Sequence, residues 1–123
     1  MGARCECFIA TEMCPPAIIV GEPTNVFFLV EVTGTCQDCS VRCVVAPAGI
    51  GATCELSAPG MPPTTGRLPV GPGLTPITAT VTITSCPTGS APVVVDVAVR
   101  CLNAAGEVTC SGSTNCRILS CAP

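Results

Sequence analysis

Cysteine is the residue type in this sequence with the most chemistry to offer. Twelve of the 123 residues are cysteine, a density typical of disulfide scaffolds in an oxidising environment. Intracellular proteins of hyperthermophiles are the known exception. Because twelve half-cystines allow roughly ten thousand pairings, the sequence leaves the connectivity open. The disulfide candidates are Cys5, Cys7, Cys14, Cys36, Cys39, Cys43, Cys54, Cys86, Cys101, Cys110, Cys116 and Cys121.

Three of these cysteines, Cys5, Cys7 and Cys14, precede the first convincing strand. On an extended arm, Cys5 and Cys7 project the same way with Cα atoms about 6.5–7 Å apart, at or beyond the reach of an unstrained disulfide. We therefore expect them to bond to other sulfurs. Two arrangements stay open. Either the arm is stapled to its own chain, or at least one of these three candidate intersubunit cross-links bonds to a neighbouring subunit.

The stretch CQDCSVRC at 36–43 contains a CxxC spacing, which redox enzymes and zinc sites share. A redox motif needs a helix that lowers the pKa of one thiol, and the preceding TGT turn offers none. A structural zinc site needs a second cysteine pair at matching spacing or histidines, and the chain has no histidine. We interpret the stretch as a cysteine-rich loop at a strand hairpin and predict no metal site.

Residues for acid–base or nucleophilic catalysis are sparse. Such chemistry near neutral pH recruits His, Lys or a carboxylate pair, but His and Lys are absent and the eight acidic residues are scattered. Ser57, Ser85 and Ser120 have no base to activate them, and no phosphate loop or calcium-binding run is present. Asp96 and Arg100, four apart, are expected to form an exposed pair. The sequence predicts no catalytic or cofactor-binding residue and no enzyme.

The charge of the chain is low and slightly acidic. Five Arg and eight Asp plus Glu give a formal net charge of −3, and only 11% of residues are charged. A nucleic-acid-binding protein needs a basic face and stacking aromatics, so that class is excluded. A surface of Thr, Ser, Pro, Gly and small apolar groups is poorly protected against self-association. We therefore expect the partner to be the chain itself, with no small-molecule substrate.

The alternation of apolar and polar residues predicts β-strands. In residues 77–84 Ile and Val alternate with Thr, and in residues 93–101 the valines share one face with Cys101, which should point into the core. Residues 25–33 are apolar on both faces, as in a central strand. Shorter candidates are 40–46, 52–57, 108–111 and 116–120.

Turn residues separate these strands and almost forbid long helices, since the chain has 13 Pro and 12 Gly. The pattern predicts an all-β fold, an Ig-like or jelly-roll-like sandwich of about 7–8 strands rich in disulfides. We expect three parts: a cysteine-bearing N-terminal arm at 1–16, the sandwich at 17–111 and a cysteine-bearing tail at 112–123.

The location of the protein follows from its cysteines and its apolar runs. No run approaches the roughly 20 residues of a membrane span. The first twenty residues carry Cys, Glu and Pro where the apolar core of a signal peptide would lie. We expect an extracellular, cell-surface or spore-surface location, with a leader that is either absent from this numbering or not needed for release.

Two resemblances bear on function. The order IVGEPTNVFFLVEVTGT, VRCVVAPAGI, GRLPVGPGLTPITATVTIT and VVVDVAVR, over about residues 18–108, resembles bacterial and archaeal surface Ig-like domains. That resemblance implies a seven-stranded spacing module outside the cell and no catalytic residues. The layout of a cysteine-bearing arm before a single sandwich resembles subunits of bacterial endospore appendages, whose arms form disulfides with neighbouring subunits.

Two functional hypotheses result. The first is a subunit of an extracellular filament or surface coat that assembles by adding an arm or strand to an open sheet edge, with disulfides within or between subunits. The donor is residues 17–20 or the arm before them. The second is a monomeric secreted binding module, an adhesin or inhibitor, that uses the proline-rich residues 58–73 for contact. Those residues could instead be a crossover between the two sheets.

Overall fold

The computed structural model describes residues 4–123, which form eleven β-strands and no helix. The strands are β1 (Glu6–Met13), β2 (Ala17–Ile19), β3 (Thr24–Thr33), β4 (Cys39–Ala46), β5 (Thr53–Ala58), β6 (Met61–Thr64), β7 (Leu68–Val70), β8 (Gly73–Thr82), β9 (Val93–Leu102), β10 (Val108–Ile118) and β11 (Ser120–Ala122).

The strands form a sandwich of two antiparallel sheets. One sheet has five strands in the order β1-β3-β8-β5-β6, and the other has four in the order β10-β9-β4-β7. β11 and β2 form a small parallel pair. The predicted fold class, a disulfide-rich all-β sandwich, is confirmed. No segment of the chain between residues 4 and 123 is a helix with the length and apolarity needed to cross a membrane.

The core is built from the inward positions of the long strands. Ile77, Ala79 and Val81 of β8 are buried, as is every second residue of β9 from Val93 onward. Cys101 is 0% exposed, which confirms that it points into the core. β3 lies between β1 and β8, as expected for a strand that is apolar on both faces.

Residues near both chain ends pair with strands of the sandwich. From residue 6 onward the arm is β1, which pairs with β3 from Glu6 opposite Thr33 to Met13 opposite Phe27. Residues 108–118 form one long strand beside β9, where two short strands were expected. Residues 1–3 of the expected arm lie outside the described residues. Ile9 is the one fully buried side chain of residues 6–13. The segment therefore needs few inward apolar residues, and its sequence shows no strong apolar alternation.

Two segments singled out from the sequence have partners within the chain. Residues 17–19, part of the candidate donor segment, form β2 and pair with β11, and Ile18 is buried. Residues 58–73 contain β6 of the five-stranded sheet and β7 of the four-stranded sheet. This proline-rich segment is therefore the crossover between the two sheets.

Candidate functional site

One side of the sandwich is closed by covalent bonds between the two sheets. β1 and β10 are the outermost strands of their sheets and lie against each other. Cys7–Cys110 and Cys14–Cys116 connect them, with Cα–Cα distances of 5.9 and 5.4 Å. Between the bridges, the Thr11 hydroxyl donates to the carbonyl of Asn115 at 3.0 Å and lies 2.9 Å from the Thr114 hydroxyl. We call β1, β10 and these two disulfides the seam.

The other four disulfides tie loops and strands to this frame. Cys43–Cys54 connects β4 to β5 and so joins the two sheets at a second place, away from the seam. Cys39–Cys101 joins neighbouring strands, Cys5–Cys36 ties the start of β1 to the β3–β4 loop, and Cys86–Cys121 ties the β8–β9 loop to β11. All twelve cysteines lie within the described residues and none is free.

Within the one chain described, the three arm cysteines bond outside the arm, and Cys5 and Cys7 do not bond to each other. The arm is stapled to its own chain here, and a bond to a neighbouring subunit stays a proposal. While these bonds are intact, Cys5, Cys7 and Cys14 have no sulfur to offer a second subunit. An intersubunit bond therefore requires that the same bonds form between two chains.

The CxxC spacing does not produce a dithiol pair. Cys36 bonds to Cys5 and Cys39 bonds to Cys101, so the two cysteines of the motif belong to different disulfides. The sulfur atoms of Cys5, Cys36 and Cys101 lie within 4.8 Å of one another. Metal ions bind thiolates, and each of these sulfurs is occupied by a disulfide.

Part of the outer surface of the five-stranded sheet, across β1, β3 and β8, is apolar. Phe8 and Leu74, each 62% exposed, flank Glu31 in one row of these strands. The next two rows add Met13 and Phe27 as exposed apolar side chains. We call the apolar outward residues of these three rows the apolar face. Its members are Phe8, Ala10, Met13, Phe27, Leu29, Leu74 and Pro76.

Sequence reasoning missed the apolar face. Residues 25–33 were interpreted as a central strand because both their faces are apolar, and that strand is central within its sheet. In a two-layer sandwich, however, only one face of each sheet meets the other sheet. The second apolar face of β3 is therefore exposed. An apolar surface that is contiguous on a folded domain marks an interaction site more often than scattered exposed residues do.

The outer surface of the four-stranded sheet carries positive charge. Arg42 lies on β4, Arg100 on β9 and Arg67 just before β7, and we call these three residues the arginine cluster. Desolvation, followed by the positive charges of Arg100 and Arg42, lowers the pKa of Arg67. Arg67 Nη1 donates a hydrogen bond to the Ser40 hydroxyl at 3.2 Å. No local pattern in the sequence indicates this cluster, because its members are 25 and 33 residues apart.

Asp96 and Arg100 lie on the same outer surface of β9, as the sequence predicted, with Asp96 exposed and Arg100 half-buried. The two side chains do not form an ion pair in the described structure. Ser57, Ser85 and Ser120 lie on separate elements, on β5, in the β8–β9 loop and on β11. The structure brings none of these three serines together with a basic side chain among residues 4–123.

Comparison with known proteins gives a fold and no family. No family model and no curated protein sequence matches the chain. Among solved structures, the chain is similar to AvmM, described as catalysing macrocyclization in alchivemycin A biosynthesis, with a TM-score of 0.63 at 8% identity over 91% of this chain and 88% of that one. It is also similar to a conjugative transposon lipoprotein from Bacteroides eggerthii, with a TM-score of 0.50 at 9% identity over 89% of this chain and 95% of that one. At such identities the likeness concerns the fold alone.

The six disulfides indicate the redox environment in which the chain is folded. Bonds of this number form and persist where thiols are oxidised, which for most organisms is outside the cell or in an equivalent oxidising compartment. The chain is thus a disulfide-rich β-sandwich domain of an oxidising environment. Its distinctive surfaces are the seam, the apolar face and the arginine cluster.

Proposed function

We propose that the chain is a non-enzymatic structural subunit of an extracellular filament, appendage or surface coat, and that it assembles with copies of itself. One observation carries the proposal. The cysteine within β1, Cys7, and the two that flank the strand, Cys5 and Cys14, each bond to a cysteine elsewhere in the chain, and β1 is the outermost strand of its sheet. The same three bonds can therefore form between two chains without a new contact being created.

The proposed mechanism is exchange of β1 between copies. β1 pairs with a neighbour on one side only, β3, and Pro15 and Pro16 separate it from β2. In the exchanged form, β1 of one copy lies beside β3 and β10 of the next. Cys5, Cys7 and Cys14 then bond to the Cys36, Cys110 and Cys116 positions of that copy. Such a head-to-tail contact is heterologous, so it propagates into a chain of subunits.

The apolar face supports assembly by a second route. Exposed Phe and Leu side chains on a flat sheet lose contact with water when two copies pack together. Only 11% of the chain is charged, so few charges oppose dense packing. The resemblances to surface Ig-like domains and to endospore-appendage subunits agree with this use of the fold.

The test of the proposal is to refold the reduced chain at low and at high concentration under oxidising conditions. Exchange between copies competes with closure within one chain, so high concentration favours the linked form. We expect a ladder on a denaturing gel without reductant that collapses to the 12.3 kDa monomer with reductant. Electron microscopy should show polymers in the same sample.

An isotope-mixing control identifies the bonds. Equal amounts of ¹⁵N-labelled and unlabelled chain are refolded together, and disulfide-linked peptides are analysed by mass spectrometry. Mixed-isotope peptides joining Cys7 to Cys110 and Cys14 to Cys116 are expected. A single monomer band at every concentration, with no mixed-isotope peptide, would falsify assembly through β1.

The alternative, a monomeric secreted binding module that uses residues 58–73, is favoured by one specific observation. Arg67 of that segment belongs to the arginine cluster, beside a shallow pocket. A monomer in the refolding test together with a ligand on that pocket would favour this alternative.

A further inference from the structure

We propose that the arginine cluster binds an oxyanion, a sulfate, phosphate or carboxylate group, either as a free ion or as a group carried on a polymer. The inference goes beyond the proposed function, because a site of this kind works equally in a monomer and in an assembled subunit. It rests on the placement of three guanidinium groups, on a pocket lined by two of the arginines, Arg67 and Arg100, and on the absence of an ion pair between the cluster and any carboxylate of residues 4–123.

The register of the sheet brings the three arginines together. Arg100 lies directly opposite Ser40 of β4, and Arg42 is two residues further along the same outer surface of β4. Arg67, the residue just before β7, extends to Ser40 as well, because its Nη1 donates a hydrogen bond to the Ser40 hydroxyl. Charges from three separate segments thus meet around Ser40, and pairing of β4 with both β9 and β7 holds them there.

Small side chains leave room for a ligand beside the arginines. Ala98, Ser111 and Ser113 line, with Arg67 and Arg100, an open pocket of about 490 Å³. Ser111 lies opposite Arg100 and Ser113 opposite Ala98, so both serines belong to the outward rows of the sheet. Each hydroxyl can donate one hydrogen bond to an acceptor in the pocket. A sulfate or phosphate ion is far smaller than this volume, which also accommodates part of a polymer.

The positive charge of the arginine cluster is not balanced by carboxylates of the described residues. None of the three arginines forms an ion pair with a carboxylate of the described chain, although Asp96 lies exposed on the same surface of β9. The Nε atom of Arg100 is buried and has no hydrogen-bond partner. Burial of a charged donor without an acceptor is costly, and proximity of like charges adds to that cost. An anion in the pocket would offset the repulsion between the like charges.

Oxyanions match these donors in shape as well as in charge. A guanidinium group presents parallel N–H donors that pair with two oxygens of a sulfate, phosphate or carboxylate. Chloride offers no such paired acceptors. The site should therefore distinguish oxyanions from chloride at equal ionic strength.

The test is a titration of the folded chain with sodium sulfate and sodium phosphate, followed by NMR chemical shifts, with sodium chloride adjusted to keep ionic strength constant. Variants Arg67→Gln and Arg100→Gln each remove one charge from the cluster. The matched control is Arg117→Gln, which removes an equal charge from the same outer surface, opposite Val94 and away from the pocket. Loss of a charged hydrogen bond should weaken binding about tenfold or more in either cluster variant.

Saturable binding that Arg67→Gln weakens about tenfold, while Arg117→Gln leaves it within about twofold, supports the site. Arg67 is exposed, so that variant gives an answer even if Arg100→Gln fails to fold. Titrations with dextran sulfate and with neutral dextran distinguish a free oxyanion from one carried on a polymer. Higher affinity per sulfate for the polymer indicates a polymer-borne group, and equal affinity indicates the free ion.

Two outcomes overturn the proposal. The first is a response that is not saturable, or that Arg117→Gln weakens as much as the cluster variants do, since this indicates attraction to net charge alone. The second is that sedimentation shows a dimer which Arg67→Gln dissociates and which sulfate leaves unchanged. In that case a carboxylate of a second copy occupies the cluster.

Discussion

Phe27 and Phe28 are adjacent residues with opposite environments. Phe28 has no exposed surface and supplies the only aromatic side chain of the core, whereas Phe27 is 38% exposed on the apolar face. The strand alternation alone separates them, because consecutive side chains point to opposite faces of a sheet. The energetic cost of truncating each side chain should therefore differ sharply.

Phe28→Ala should lower the free energy of unfolding by about 3–5 kcal/mol, because it leaves a cavity in a core otherwise made of Val, Ile, Leu and small residues. Phe27→Ala is the matched control and should cost less than about 1 kcal/mol. Guanidinium chloride unfolding with the disulfides intact measures both values. Equal losses in the two variants would show that the burial assigned to Phe28 is incorrect.

At the scale of elements, the seam joins the first and one of the last strands of the chain. Its two disulfides close loops with sequence separations of 103 and 102 residues. They are not independent in the unfolded chain. Once Cys14–Cys116 has formed, Cys7–Cys110 closes only a short ring, which consists of residues 7–14 and 110–116. The stabilising effect of a disulfide rises with the length of the loop that it closes.

Removal of either seam bridge by paired Cys→Ala changes should therefore cost only about 3 kcal/mol, as for a short loop. Removal of both bridges should cost about as much as the two single losses together, because Cys5–Cys36 and Cys39–Cys101 still hold the ends of β1 and β10 in a short ring. Thermal or denaturant unfolding of the three variants measures these losses.

The control for the seam is the Cys43–Cys54 bridge, which closes a loop with a sequence separation of 11 and joins β4 to β5 instead. Its removal should add to the loss of either seam bridge without coupling. A double seam variant that loses far more than the sum of the two single losses would contradict the argument that the remaining bridges keep this ring short.

Viewed as a whole molecule, the sandwich has two chemically different outer surfaces. One is the apolar face on the five-stranded sheet, and the other carries the arginine cluster on the four-stranded sheet. Neither surface is needed to close the core, which already contains the inward residues of both sheets. Both are therefore available for contacts with other molecules.

The variant Phe8→Lys with Leu74→Lys should weaken self-association of the chain at least about tenfold, because charged side chains on the apolar face would have to be desolvated in a contact. Stability should change little, since both residues are largely exposed and each new lysine lies opposite Glu31. Leu119→Lys is the control, because Leu119 is also exposed but lies outside the apolar face. Sedimentation velocity over a range of concentrations measures the association. An equal effect of the control would indicate general solubility and not a specific face.

The strands with strong alternation, and the direction of their side chains, follow from the local sequence alone. Residues 77–84 and 93–101 needed no partner to indicate their inward face, because the period of two is a property of the extended backbone. The fold class, the central position of β3 and the inward direction of Cys101 follow from the same local pattern. So does the expectation that Cys5 and Cys7 bond elsewhere, since it depends only on the distance between neighbours on one strand.

Which distant residues meet depends on the tertiary structure. Cys7 and Cys110 become partners because β1 and β10 are the outer strands of two packed sheets, and no local pattern encodes that relation. For the same reason the pairing of residues 6–13 with β3 and of residues 108–118 with β9 could not be predicted from the sequence. Arg42, Arg67 and Arg100 meet through the pairing of β4 with β9 and β7. Strand order and sheet packing are long-range choices among many compatible pairings, whereas alternation is set within a few residues.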